Sequence, residues 1–327
     1  MGMRGHFSSV VIGVIFGCFF ATALGQGTTT SILGTVYDES RAVLPGVTVT
    51  ATNQGTEQQR TAITDDQGRY HMAEMTVGKY QLRAELAGFQ AATREITLTL
   101  EGDSVINFTL RVGEVETKIL VTAESPLVDT TSSALKTLVD ERQIQDLPLN
   151  GRSFTDLVTL QSGVTKDYLA GRNNIGLEGG QLMISGTRSR QSLFQLDGTD
   201  LRNHRGATPG SLAGVQLGVD TVQEFSVITS VASAEYGGFA GGVVNAVTKS
   251  GTNEFHGSAF EFLRNAALDA RNFFDRDPSR PLERSDVPPF KRNQYGATLG
   301  GPIKKNKAFF FASFEGLNER LTTTQTG

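Results

Sequence analysis

From Thr28 to Gly113, and again from Phe255 to Phe314, apolar and polar residues alternate with a period of two. That is the period of a strand, whose successive side chains point to opposite faces, and not the 3.6-residue period of a helix. One uncharged apolar run stands apart, Val10 to Phe20, and no other segment reaches the ~18 consecutive apolar residues that a membrane helix needs. Any insertion into a membrane would therefore be by strands.

The run from Val10 follows Arg4 and ends before the small residues Ala23-Leu24-Gly25, the pattern of a secretory signal peptide over residues 1–25 with Gln26 as the first mature residue. A lipoprotein reading through Gly17-Cys18 is disfavoured because apolar sequence continues past the cysteine. Cys18 is the only cysteine, so the exported chain has no disulfide, thiolate nucleophile or cysteine-held zinc. Export without such staples suits a bacterial envelope protein. A net charge of -4 with scattered Lys and Arg excludes nucleic acid as a bulk electrostatic partner. The single aromatic–basic cluster, Phe290-Lys291-Arg292, reads as a solvated loop.

In the first alternating region, "GVTVTATN", "EQQRTAITD", "KYQLRAELAG", "REITLTL" and "SVINFTLRVG" are separated by the turn residues Pro45-Gly46, Asn53-Gln54-Gly55 and Asp66-Gln67-Gly68. About seven strands without helix periodicity predict a small antiparallel sandwich. "GTVYDESRAVLPGVTVTATNQGTEQQRTAITDDQGRYHMAEMTVGKYQLRAELAGFQ" resembles the carboxypeptidase regulatory-like domain, a prealbumin-like sandwich grouped with carbohydrate-binding-like folds. That domain is not the protease itself, and His71 stands without the acids and second histidine that a zinc site needs.

Residues 114–130 read as a charged linker. Within it "ETKILVTA" resembles the box by which outer-membrane transporters engage TonB. The physical basis would be β-augmentation, an extended peptide adding to a partner's open sheet edge. The candidate TonB-contact residues are Glu116, Thr117, Leu120, Val121, Thr122 and Ala123. The competing readings are a plug strand over 117–123 or a plain linker.

Residues 131–253 mix helix and strand signals. Asp140 is placed to cap a helix through Ile144, stopped by Leu147-Pro148, and Ser153 one through Leu160, stopped by Gly163. "QLMISGT" and "QSLFQLDGTD" are expected as two strands joined at Arg188-Ser189-Arg190. "VQEFSVIT" and "GGVVNAVTKSG" are further strands, after a Gly-rich loop from Arg202 to Gly218. "DLPLNGRSFTDLVTLQSGV", "ISGTRSRQSLFQLDGTD" and "SAEYGGFAGGVVNAVTKSGTNEFHGSAFEF" resemble the plug of a TonB-dependent receptor, more narrowly the Oar-like receptors that carry a regulatory-like sandwich before the plug. The resemblance implies an α+β plug, TonB and outer-membrane lipid as partners, residence in the cell outer membrane, and an extracellular ligand that includes carbohydrate among its candidates. Arg202, His204 and Arg205 are the candidate ligand contacts.

Lys249-Ser250-Gly251 hints at a phosphate loop, but Thr248 and Val243 stand where that loop requires glycine. The glycines Gly237, Gly238, Gly241 and Gly242 are instead expected where backbone passes close to a wall. Beyond Asn253 the composition changes: ten of the 20 phenylalanines lie between Phe255 and Phe314. "HGSAFEF" is expected to show Phe260 and Phe262 outward, against Ala259 and Glu261. Tyr295, Ala297 and Leu299, then Phe310, Ala312 and Phe314, form the outward rows of the next two strands. Apolar-out, polar-in strands, with a long connection from Arg264 to Lys291 and a short turn from Gly301 to Asn306, are the pattern of a transmembrane barrel. A receptor barrel of 22 strands needs on the order of 220 strand residues, and residues 254–327 supply about three strands of that kind. The barrel is therefore expected to be incomplete, the product of a truncation.

The expected fold is mainly β: a prealbumin-like β-sandwich (26–113), an α+β plug (131–253), then the first strands of an incomplete transmembrane β-barrel (254–327). The expected function is ligand import driven through TonB, without catalytic residues, metal or cofactor. The alternative is a surface module that binds carbohydrate or a partner and is anchored by the remainder. An enzyme is disfavoured because His6, His71, His204 and His256 are far apart in sequence.

Overall fold

The computed structural model describes residues 30–100, 102–113, 121–122, 134–146, 155–167, 181–201, 218–230, 236–237, 239–270, 276–277, 280–284 and 289–321. The expected signal peptide lies outside the described residues.

The first unit contains β1 (Thr30–Asp38), β2 (Thr48–Asn53), β3 (Gln59–Ile63), β4 (Arg69–Met75), β5 (Gly78–Glu85), β6 (Ala92–Leu98), β7 (Ser104–Val105) and β8 (Phe108–Leu110). One sheet sets β4 antiparallel to β1, with β7 and β8 in turn parallel to β1 on its other side. The second runs β3-β2-β5-β6 and ends in β9 (Val121–Thr122). Alternation sends Ile32, Val49, Leu82 and Phe108 between the sheets, where each is buried. Asx geometry closes the turns as the sequence predicts: Asn53 Oδ1 accepts from the N–H groups of Gly55 (2.9 Å) and Thr56 (3.0 Å). "SVINFTLRVG", expected as one strand, is broken at Ile106 and Asn107. The register survives the break, since Leu33 faces Val105 and Val36 faces Phe108. Here the Ile106 carbonyl lies against Gly34 and accepts from the buried Tyr70 hydroxyl at 2.7 Å. Burial pushes the Tyr70 phenol well above its ordinary range.

The second unit contains β10 (Leu135–Val139), α1 (Glu141–Asp146), α2 (Thr155–Val158), β11 (Val164–Asp167), β12 (Gln181–Ile184), β13 (Leu193–Leu196), β14 (Thr199–Asp200), β15 (Val222–Ser230) and β16 (Val243–Thr248). Its main sheet is ordered β10-β15-β16-β13-β14, and β11 pairs with β12 apart from it. Ile144 and Leu157 from the helices pack with Leu182, Phe194 and Phe225. The Asp140 cap forms as expected, as a reciprocal box: the Gln143 N–H donates to Asp140 Oδ1 (2.8 Å), and the Asp140 N–H to Gln143 Oε1 (3.3 Å). Its helix runs two residues past Ile144, to Asp146. Ser153 lies outside the described residues, and the chain after α2 turns at Gly163 with φ +80°.

"QLMISGT" and "QSLFQLDGTD" do not pair with each other. β12 pairs with β11, whereas β13 lies parallel to β16. "QSLFQLDGTD" is itself a hairpin, turning at Asp197 (φ 49°) and Gly198 (φ 79°), a left-handed pair that matches strand twist. At Gly242 a Cβ would overlap the Ile184 side chain, so the expected close approach occurs there, whereas Gly237 has no neighbour within 4 Å of such an atom.

The third unit is a sheet ordered β17 (His256–Asn265), β20 (Phe290–Lys304), β21 (Ala308–Leu321), with a small pair, β18 (Arg276–Asp277) and β19 (Arg280–Arg284), in the long connection. Phe290-Lys291-Arg292, expected as a solvated loop, opens β20. That strand continues to Lys304, so the short turn is Lys305-Asn306-Lys307, with Asn306 at φ 61°. The register also corrects one face. Phe260 pairs with Gly296 and Phe262 with Gln294, while Ala259 and Glu261 pair with Ala297 and Tyr295. Phe260 and Phe262 therefore share the polar face with Gln294 and Thr298, and Ala259 and Glu261 lie on the apolar one. Alternation within one strand separates its two faces but does not say which is outward; pairing does.

Candidate functional site

The apolar face of the third sheet is the open one. Phe255, Leu299 and Phe314 are 69%, 51% and 65% exposed, while Gln294 on the opposite face is 2% exposed. Phe310, Ala312 and Phe314 continue the apolar row, opposite Gly301, Leu299 and Ala297. On the covered face Gln294 Nε2 donates to Glu315 Oε1 at 2.6 Å, and the Glu315 carboxylate lies against Gly218, just before β15. Water-soluble sheets cover the apolar face and solvate the polar one. Here Leu299 and Phe314 are exposed and Gln294 is buried, while Phe262, on the face of Gln294 but toward the far end of β17, is exposed as well.

All three units meet at the end that carries the β20–β21 turn. The Asn253 N–H donates to Gly55 O of the sandwich (2.8 Å). Its side chain exchanges bonds with Asn306, Nδ2 donating to Oδ1 (2.7 Å) and Oδ1 accepting from the Asn306 N–H (2.8 Å). The buried Leu100 N–H donates to Glu224 Oε1 of β15 at 2.6 Å. Lys249 Nζ, its side chain 15% exposed, pairs with Glu141 at 2.7 Å. A cleft of about 740 Å³ remains between these contacts. Removing the Glu224 carboxylate would leave a buried donor unpaired, a cost of about 1–3 kcal/mol. Sequence reasoning missed this docking. Its one local signal is an acid inside the apolar strand "VQEFSVIT".

Of the candidate TonB-contact residues, Val121 and Thr122 form β9, parallel to β6 at Arg94 and Glu95. Glu116, Thr117, Leu120 and Ala123 lie outside the described residues, as do Arg202, His204 and Arg205. Among the described residues no group of three or more His, Cys, Asp or Glu is placed to hold a metal. His71 is exposed on β4, and the His256 ring sits 3.2 Å from Ser250 O.

Comparison with known proteins covers most of the chain. The carboxypeptidase regulatory-like domain family matches residues 31–111, the TonB-dependent receptor plug domain family residues 127–244, and the outer membrane beta barrel domain family residues 247–327. The TonB-dependent transporter Oar of Myxococcus xanthus is 30% identical over 97% of this chain and 29% of its own length. The probable TonB-dependent siderophore receptor PirA of Acinetobacter baumannii is 28% identical over 58% of this chain and 23% of its own. The chain thus spans under a third of either relative. Among solved structures, the outer-membrane transporter YddB of Escherichia coli is 18% identical over 57% of this chain and 26% of its own, with a TM-score of 0.42. With a sandwich, a plug and outward apolar strands in family order, the chain belongs to the TonB-dependent receptors of the bacterial outer membrane.

Proposed function

We propose that this chain is the N-terminal part of a receptor that binds an extracellular ligand and imports it with energy delivered by TonB from the periplasm. In this reading residues 26–113 are a periplasmic sandwich, 131–253 a plug, and 254–327 the first strands of the surrounding wall. Residues 116–123 are the segment that TonB grips. The observation that carries the reading is the third sheet, whose apolar row at Tyr295, Leu299 and Phe314 is exposed while Gln294 on the opposite face is buried and its partner Glu315 lies against Gly218 of the plug unit. Such a sheet is stable beside lipid and costly in water. Import of this kind makes and breaks no bond, so the reading assigns no residue a catalytic role. The siderophore named for the PirA relative sets the first ligand class to try, with Arg202, His204 and Arg205 as proposed contacts.

Deleting residues 116–123 from the intact receptor is the direct test. Cells carrying the deletion are expected to bind an iron-loaded siderophore as the parent does and to lose energised uptake. Uptake that survives would remove TonB from this segment. A parent that binds no siderophore would remove the ligand class.

A further inference from the structure

Glu224 is an acid inside an apolar strand, and a bulge sets where it points. The pairing of β15 with β16 passes from Val222–Thr248 to Glu224–Val247, so Gln223 is one residue too many for the ladder. A bulge bends its strand and re-aims the side chains beside it. The carboxylate so placed accepts from the Leu100 N–H, two residues past the end of β6. On the sandwich side the Asn53 turn presents the Gly55 carbonyl, which accepts from the Asn253 N–H. Both contacts come from one end of the second sheet, since Asn53 and Ile96 are each register partners of Tyr80.

What joins the two units is polar. Among the described residues the sandwich's buried apolar cluster runs from Ile32 to Leu110 and the main one of the plug unit from Val139 to Ala246, and neither takes a member from the other. The cleft in the seam receives Asn53 and Gln54 from one side and Gln223 and Lys249 from the other. Polar interfaces within a chain are the ones across which domains move. Parting this one breaks the hydrogen bonds at Leu100 and Gly55 and leaves both cores whole. The same place fastens the plug unit to the third sheet. Asn253 lies between β16 and β17, and while its N–H holds the sandwich its side chain holds Asn306 in the β20–β21 turn.

We infer that the sandwich is a latch on the plug. Docked at Leu100 and Gly55, it keeps the plug unit seated against the β20–β21 turn, and it lifts off before the plug opens. This rests on the reading of residues 131–253 as plug and 254–327 as wall given above. A hydrogen bond to a carboxylate is about twice as strong as a neutral one, so Glu224 supplies most of the hold and Gly55 fixes where the sandwich sits.

A Cβ at Gly55 would stand 3.6 Å from Thr252 Cβ, inside the roughly 3.5–4.5 Å range of a disulfide. Gly55→Cys with Thr252→Cys in the intact receptor, with Cys18 replaced by serine, is therefore expected to cross-link under mild oxidation. The readout is ion conductance across a planar bilayer as urea loosens the plug. At the urea concentration where half of the reduced receptors conduct, on the order of tenfold fewer oxidised ones are expected to, because a tethered latch re-docks at high effective concentration. Reductant is expected to restore conduction, and the single-cysteine variants control for the oxidant. Gly55→Phe is the converse variant. Its Cβ meets Thr252 and Asn53 first, so the ring wedges the seam outside both cores, and conduction is expected at lower urea than in the parent.

Failure of the disulfide to form overturns the docking. Oxidised and reduced receptors that conduct alike, or a Gly55→Phe receptor as closed as the parent, overturn the latch while leaving the plug in place. A parent that conducts at no urea concentration has no plug in a pore, and then the proposed function fails and the latch with it.

Discussion

Gly34 sits in the middle of β1, where an alternating strand calls for a side chain, and a Cβ there would overlap the Ile106 carbonyl oxygen. Backbone cannot retreat as a flexible side chain can, so Gly34→Ala must break the Tyr70 hydroxyl's bond to that carbonyl or displace β7 and β8. Overpacking of this kind costs about 1–3 kcal/mol. The expected outcome is a thermal midpoint for the sandwich lower by on the order of 10 °C. Gly46→Ala is the comparison: its φ of +72° strains an alanine, but no atom lies within 4 Å of the new carbon, so the loss should stay near ~1 kcal/mol. Equal losses at the two positions would show that close approach is not what Gly34 supplies. Local chemistry of the Asp140 kind was legible in the sequence because donor and acceptor lie three residues apart. The need for glycine at 34 was not, since its partner lies 72 positions away in the sequence, as the Leu33–Val105 pairing dictates.

At the scale of elements, the strands were found from their period and mis-faced for want of a register. "HGSAFEF" alternates whichever way it is turned, and phenylalanines invited an outward assignment. Ten consecutive pairs between β17 and β20 reverse it, setting Phe262 beside Gln294 and leaving Glu261 beside Tyr295 on the apolar face. The hairpin at Asp197-Gly198 was missed for a related reason: the apolar run before it was read through the turn, although Asp-Gly is a strong hairpin signal. The chain has no tryptophan, which makes the facing of the third sheet measurable. Leu299→Trp and Phe262→Trp each place a single fluorophore, on opposite faces. In bilayers of brominated lipid, emission from Trp at 299 is expected to be quenched strongly and that from Trp at 262 weakly. Equal quenching would return the sheet to the ambiguous facing that alternation alone allows.

At the scale of the molecule, the sandwich, the plug unit and the β20–β21 turn are fastened together through Asn253, Asn306 and Gly55. In outer-membrane barrels short turns lie on the periplasmic side and long connections outside. The turn at Lys305–Lys307 is short, and the connection from β17 to β20 is long enough to carry its own pair of strands. Under the proposed function this arrangement assigns the sandwich to the periplasm, on the side where TonB is proposed to act and a membrane's thickness away from extracellular glycans. A surface carbohydrate-binding role for the sandwich needs the opposite placement, so the two readings separate on topology alone. An epitope inserted after Gly88, a turn residue with open space around it, reports on the sandwich, and one inserted between β18 and β19 reports on the long connection. In cells expressing the intact receptor, antibody is expected to label the second epitope directly and the first only after the outer membrane is permeabilised. Labelling of the Gly88 epitope on intact cells would turn the sandwich outward and detach it from the side on which TonB is proposed to act.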